Sequence, residues 1–315
     1  MGEHSKKIGE FGEDSVKKLL EFIGWSDLQK GLDIKCIKSD AHRQNSKKGR
    51  TSHGLDFLYS YKTPLYDQTL QICCISSKFH ANAYPDTSAL KIAFKLHLKD
   101  LDSLLDCFTK SDQCQNIKKQ TRTSRAQYAG VLIWLHSNVS PDAKQEIISE
   151  LETVKIPSDI ELNHPIYVID NNQASFIYSS KSFVETNYKN REISFFYQKT
   201  GNNSSDQNWN SSGSILPVDL ITSKIIIFKA TDTQTNDDTV IISVNEEFNQ
   251  ENLKKVMGLA HNITSNLPSK IDICFPDLNG LHHSNIVNET KNLFSDNKFS
   301  KRVSVRNFNL NHINF

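Results

Sequence analysis

Apolar residues between Ile8 and Ile23 recur at helical spacing. At about 100° per residue, Ile8, Phe11, Val16, Leu19, Leu20, Phe22 and Ile23 gather into one stripe, and Gly24 stops the helix. Glu10, Asp14 and Glu21 lie opposite that stripe, whereas Glu13 falls at its margin beside Leu20. The pattern then changes to strands: Leu55 to Tyr61 is rich in aromatic residues, Thr63-Pro64 breaks it, and Leu70 to Ser76 is an apolar run of the buried kind. Leu90, Ala93, Phe94, Leu98, Leu101, Leu104, Leu105 and Phe108 restore the helical period, which predicts one long helix or a bent pair over Ala89 to Phe108. Ala129 to His136, AGVLIWLH, predicts a strand buried on both faces. A helix from Pro141 to about Val154 follows, then a strand Pro165 to Asp170, a turn at Asn171-Asn172 and a neighbouring strand Ala174 to Tyr178. Strands alternating with helices predict an α/β fold, a mixed sheet flanked by helices.

Residues 200–214, TGNNSSDQNWNSSGS, carry one aromatic side chain in a polar run, too little apolar area to order strongly. They predict a linker or a long exposed loop between a domain over residues 1–199 and a smaller C-terminal α/β (α+β) domain over 215–315. In the latter, strands at Ile221 to Lys229, Thr239 to Val244, Lys270 to Phe275 and Lys301 to Arg306 alternate with helices at Asn249 to about Asn266 and about His283 to Phe294. No catalytic motif stands out there. Asp272 and Asp277 flank a strand end and read as turn or cap residues, and His261, His282 and His283 lack the spacing of a metal site. This domain is expected to dock a partner or set specificity.

Composition narrows the function. The 315 residues carry 37 basic and 36 acidic side chains, so affinity for nucleic acid has to come from local patches. Six cysteines, at 36, 73, 74, 107, 114 and 274, form no CxxC pair and read as reduced core thiols of a cytoplasmic protein. No apolar run reaches the roughly 20 residues of a membrane helix, and MGEHSKK is too polar for a secretion signal. Phosphate-binding GxxxxGK[ST], GxGxxG, GxSxG and HExxH motifs are all lacking, so any ATP-driven motor would be another subunit.

The remaining chemistry concentrates in Gly54 to Lys78. Asp56 opens the first strand and Lys78 closes the second, and alternation puts Cys74, Ser76 and Lys78 on one face. A lysine there needs a partner, and Asp56 is a natural one. An aspartate, a hairpin and an apolar strand ending in lysine resemble the core of the PD-(D/E)XK nucleases, the restriction-endonuclease-like family. The helix GEFGEDSVKKLLEFIGW resembles the first helix of branches that carry an extra glutamate. That family usually has an acid or glutamine two residues before the lysine, where this chain has Ser76.

The resemblance implies an endonuclease hydrolysing phosphodiester bonds in double-stranded DNA with Mg²⁺ or Mn²⁺. Asp56 would be the bridging metal ligand, Glu13 a second ligand, Lys78 the group that orients the attacking water and stabilises phosphate charge, and Ser76 a neutral hydrogen-bonding member. It also implies a subunit of a bacterial anti-phage defence or restriction complex, with a homo-oligomer or a second operon-encoded subunit as partner and no membrane. Two alternatives are a nuclease fold that has lost chemistry and keeps DNA-binding or scaffolding roles, and a plain structural ion pair between Asp56 and Lys78. Two basic clusters are the expected DNA contacts: Lys35, Lys38, Arg43, Lys47, Lys48 and Arg50 in a polar segment, and Lys118, Lys119, Arg122 and Arg125 ahead of the AGVLIWLH strand.

Overall fold

A computed structural model of the chain describes residues 2–43, 48–156, 160–203, 211–264 and 269–310, with side-chain surroundings from Lys7 onward. It divides into two units, residues 1–174 and 175–312.

The first unit opens with helix α1 (Gly2–Phe22), followed by strands β1 (Gln29–Lys35), β2 (Ser52–Lys62) and β3 (Thr69–His80). Helices α2 (Thr87–Phe108) and α3 (Asp112–Gln120) lead to β4 (Arg125–His136), a single turn α4 (Ile148–Leu151) and β5 (Ile166–Ile169). The strands form one sheet in the order β1-β2-β3-β4-β5, antiparallel at the first two junctions and parallel at the last two. This is the expected mixed sheet, and α1 and α2 pack on it. α2 is one unbroken helix whose first turn is capped by Asp86 Oδ1, which accepts the Ser88 and Ala89 N–H groups at 3.0 Å each. Its apolar stripe, including Leu90, Leu98, Leu101 and Leu105, buries against Leu70, Ile72, Cys74, Leu132 and Trp134 of the sheet.

β1 and α3 arise where the sequence showed only polar, basic segments, and two elements that the sequence did predict take another form. Residues 141–147 are not helical, and the helix expected from Pro141 is only α4. Their polar groups are satisfied by the sheet end: the Ile147 N–H donates to Asp170 Oδ2 at 2.9 Å, and the Lys144 carbonyl meets His136 Nε2 at 2.8 Å. The stretch expected as a turn and a strand is instead helix α5 (Asn171–Asn187), started by Asp170, whose Oδ1 accepts the Gln173 N–H at 2.9 Å. Phe176, Ile177, Ser179, Ser180 and Val184 are all buried, so polar and apolar positions no longer mark two faces of this helix.

In the second unit β6 (Arg191–Phe196), β7 (Ser212–Gly213), β8 (Ile225–Asp232) and β9 (Asp238–Val244) precede helix α6 (Gln250–Ile263). Strand β10 (Lys270–Phe275), helices α7 (Ser284–Asn292) and α8 (Asn297–Arg302), and β11 (Val303–Asn307) complete it. The sheet order is β11-β10-β9-β8-β6-β7. Because β6 pairs antiparallel with β8 through Arg191↔Asp232 to Phe195↔Phe228, the unit begins well before residue 200, and the expected division at 200–214 moves to residue 174. Of that polar stretch, residues 204–210 lie outside the described residues.

Candidate active site

The sheet of the first unit forks. β2 and β3 pair from Lys62↔Leu70 to Phe57↔Ile75 and then part: residues 52–55 of β2 stay with β1, while residues 76–80 of β3 stay with β4. One edge of β3 is therefore free over its last turns of pleat. Asp56 is the first residue of β2 beyond the last pair. Across β1 it falls opposite Gly31, which has a φ of +66° and interrupts the ladder between Lys30↔Phe57 and Leu32↔Leu55. Leu55 and Leu58, three residues apart, enter the same core, so strict alternation also breaks here.

That break lets the Asp56 carboxylate lie along the free edge of β3. Its Oδ2 accepts the Ser77 backbone N–H at 2.7 Å and the Ser76 hydroxyl at 3.4 Å. The carboxylate thus takes a ladder donor that β2 no longer satisfies. Burial pushes the Asp56 pKa upward and Glu13 adds to that, against the opposing pull of the Ser77 N–H, the Lys78 charge and the Ser76 hydroxyl.

Helix α1 brings Glu13 to the same place. Gly12 packs on Phe79 of β3 so closely that a Cβ there would stand 2.2 Å from Phe79 Cβ, and Phe11 meets the Phe79 ring edge-on at 5.7 Å. Glu13, Ser77, Lys78, Phe79 and His80 line an open cleft of about 950 Å³ that Gly9 of α1 and His97 of α2 also border. Asp56 and Ser76 stand just behind the Ser77 wall of this cleft. Burial pushes the His97 pKa down to about 4 and lowers that of His80, so both are neutral near pH 7 and leave Lys78 as the cation among the described residues lining the cleft.

Pattern reading brought out Asp56, Lys78 and Glu13, and the fold gathers them. It did not bring out Lys30 as their neighbour: Lys30 Nζ lies 3.1 Å from Glu13 Oε2 and 3.6 Å from Asp14 Oδ1, over the Phe57 ring. The exposed lysine had a visible place in the polar segment, but only the strand register of β1 sets it across from α1.

The two basic clusters fare differently. Arg125 is paired with Thr69, nine residues back from Lys78 along β3, which at ~3.3 Å per residue puts it roughly 30 Å from Lys78. Lys118 and Lys119 in the last turn of α3, and Arg122, adjoin that far end, so this cluster does not border the cleft. In the first cluster Lys38 pairs with Asp106 at 2.8 Å and Arg50 with Asp100 at 2.5 Å. Lys35, Arg43 and Lys48 are exposed, and Lys47 lies outside the described residues. In the second unit Asp272 is no turn residue: it is wholly buried in β10, with Lys270 Nζ and Arg306 Nε each at 3.4 Å and the Tyr188 hydroxyl donating to it. Asp277 does act as a turn acceptor, taking the Phe248 N–H at 2.8 and 3.0 Å.

Among known families, one described as the GAPS4 protein PD-(D/E)XK nuclease domain matches residues 1–173. No curated protein matches the chain. Among solved structures, the crystal structure of unliganded yeast PDE1 aligns over 89% of this chain and 88% of its own, at 9% identity and a TM-score of 0.17, a likeness too weak to carry any conclusion.

Proposed function

The chain belongs to the GAPS4 family of PD-(D/E)XK nuclease-domain proteins, and on that premise we propose that it is a metal-dependent endonuclease acting on double-stranded DNA in anti-phage defence. The observation that carries this reading is the fork: Asp56 held on the free edge of β3 beside Ser76, with Glu13 and Lys78 facing one open cleft.

The donors available there are oxygens, namely the carboxylates of Asp56 and Glu13 and the main-chain carbonyls along the free edge of β3. Such a set suits Mg²⁺ or Mn²⁺ and not a thiophilic ion. Asp56 and Glu13 would hold such a cation, which would supply positive charge to the phosphate and acidify water. Asp56 is fixed for its part by the Ser77 N–H and the Ser76 hydroxyl, which hold Oδ2 in one orientation. Lys78 presents an ammonium to the phosphate and, beside neutral His80 and His97, holds the attacking water by hydrogen bonding. Ser76 adds a neutral donor where an acid would add charge, so metal affinity rests on fewer carboxylates. Lys35, Arg43 and Lys48 would meet the duplex backbone, and a homo-oligomer or a second subunit would complete the assembly.

Supercoiled-plasmid nicking with Mg²⁺ or Mn²⁺ against EDTA tests the proposal. Asp56→Ala and Lys78→Ala, confirmed folded by circular dichroism, are expected to lose at least ~100-fold in rate; wild-type cleavage by both variants overturns it. A second reading is favoured by Ser76 and by the Glu13–Lys30 pair, which engages an acid the metal needs. It makes the domain a DNA-binding scaffold without chemistry. Salt-dependent duplex binding with no nicking by the wild type would select it.

A further inference from the structure

Outside the residues that line the cleft, four side chains converge: Cys36 just after β1, His42 in the following loop, His53 on β2 and, from a more distant part of the chain, Cys107 near the end of α2. One ligand atom from each lies within 4.8 Å of all the others. We propose that these residues form a structural site for a tetrahedral, thiophilic divalent cation, Zn²⁺ by its donor set, that fastens the β1–β2 arm to α2.

The separations match such a centre. Zn–S bonds of about 2.3 Å and Zn–N bonds of about 2.0 Å at tetrahedral angles put sulfur roughly 3.8 Å from sulfur and about 3.5 Å from nitrogen. Here Cys36 Sγ and Cys107 Sγ are 4.0 Å apart, and His42 Nδ1 lies 3.5 Å from the first and 3.3 Å from the second. The fourth donor is the plainest sign. His53 is 0% exposed, and neither ring nitrogen has a hydrogen-bond partner among the described residues. An imidazole left so costs the desolvation of two polar atoms, and its ring stands 5.3 Å from that of His42.

The surroundings fit as well. His42 Nε2 lies 3.5 Å from Asp106 Oδ2, so a carboxylate fixes the ring with Nδ1 turned to the cluster. The Ile37 N–H points at Cys107 Sγ at 3.5 Å, a donor that favours a thiolate. Two thiolates and a dication sum to zero charge, which a buried site tolerates. Exposures of 8%, 9%, 0% and 0% for Cys36, His42, His53 and Cys107 leave no open position for substrate, so the role is structural and not catalytic. A Cys36–Cys107 disulfide would use the two sulfurs and leave both His53 nitrogens unsatisfied, which argues for the metal.

The full chain, purified under reducing conditions from zinc-supplemented medium, is expected to carry one zinc ion per molecule by elemental analysis and to keep it through EDTA dialysis. Apoprotein prepared with a stronger chelator under denaturant and refolded with Co²⁺ should develop the sulfur-to-cobalt charge-transfer band and the intense visible bands of a two-thiolate tetrahedral site. Cys107→Ser should lose at least half of that band, and Cys36→Ser with Cys107→Ser all of it, whereas Cys114→Ser, a buried thiol outside the cluster, should keep it. A wild-type chain that binds neither ion, an octahedral cobalt spectrum, or a Cys36–Cys107 disulfide in protein purified without reductant each overturns the proposal. The readout is independent of nuclease activity, so an inactive protein leaves it intact.

Discussion

Gly12→Ala tests whether the approach of α1 to β3 is what delivers Glu13 to the cleft. The added Cβ would stand 2.2 Å from Phe79 Cβ, and an ordinary contact begins near 3.4 Å, so about 1.2 Å of separation has to be found. Phe79 Cβ is the root of its side chain and cannot swing aside, so the helix itself has to lift. Overpacking of this kind costs about 1–3 kcal/mol, and alanine returns about 1 kcal/mol of helix propensity. The control sits on the same helix: a Cβ at Gly9 meets nothing within 4 Å, so Gly9→Ala gains about 0.5–1 kcal/mol outright. Urea denaturation should therefore rank Gly9→Ala above wild type and Gly12→Ala below Gly9→Ala by about 1–3 kcal/mol. Plasmid nicking by Gly12→Ala should fall by on the order of 100-fold, because a shift near 1 Å suffices for that. Equal stability of the two alanine variants, with wild-type nicking by both, refutes the packing argument.

Two further measurements follow from single residues. Burial pushes the Asp170 pKa up to about 6 from 3.8, so the folded chain holds its proton more tightly than the unfolded chain. The stability this confers is present below pH ~3.8 and lost as pH rises through about 6, by about 3 kcal/mol at ~1.4 kcal/mol per pH unit. Urea melts should show the gap between wild type and Asp170→Asn narrowing from about pH 4 to about pH 6; a constant gap removes the buried acid from the account. Lys30→Met releases Glu13 from its 3.1 Å partner and should lower the Mg²⁺ concentration giving half-maximal nicking, by several-fold at the ~1 kcal/mol of an exposed pair; an unchanged metal dependence shows that Glu13 is not a ligand.

What the chain's pattern disclosed depended on how far each element obeys one period. α1 and α2 bury one face and β3 opens with a continuous apolar run, so Leu19, Leu98 and Ile72 could be read directly. α5 is buried nearly all round and carries no stripe, and residues 141–147 take their hydrogen bonds from Asp170 and His136, partners that pattern cannot supply. β1 was hidden by Lys30, Asp33 and Lys35, although Leu32 and Ile34 alternate with the last two on the inner side. Of the residues gathered at the fork, Asp56 and Lys78 were legible because the hairpin joins them locally. Cys36, His42, His53 and Cys107 were not, since 53 residues separate the last two and no short spacing announces them.

The outer strands of the first sheet have a consequence for assembly. An exposed strand edge invites another chain to add on. β5 is only four residues long, and β1 carries a left-handed glycine at Gly31, next to Lys30 and two residues before Asp33, which spoils the even row of donors and acceptors that an incoming strand would copy. Growth by sheet extension is thereby discouraged at either margin of this sheet, so a second copy or another subunit would find its helices and loops the better handhold.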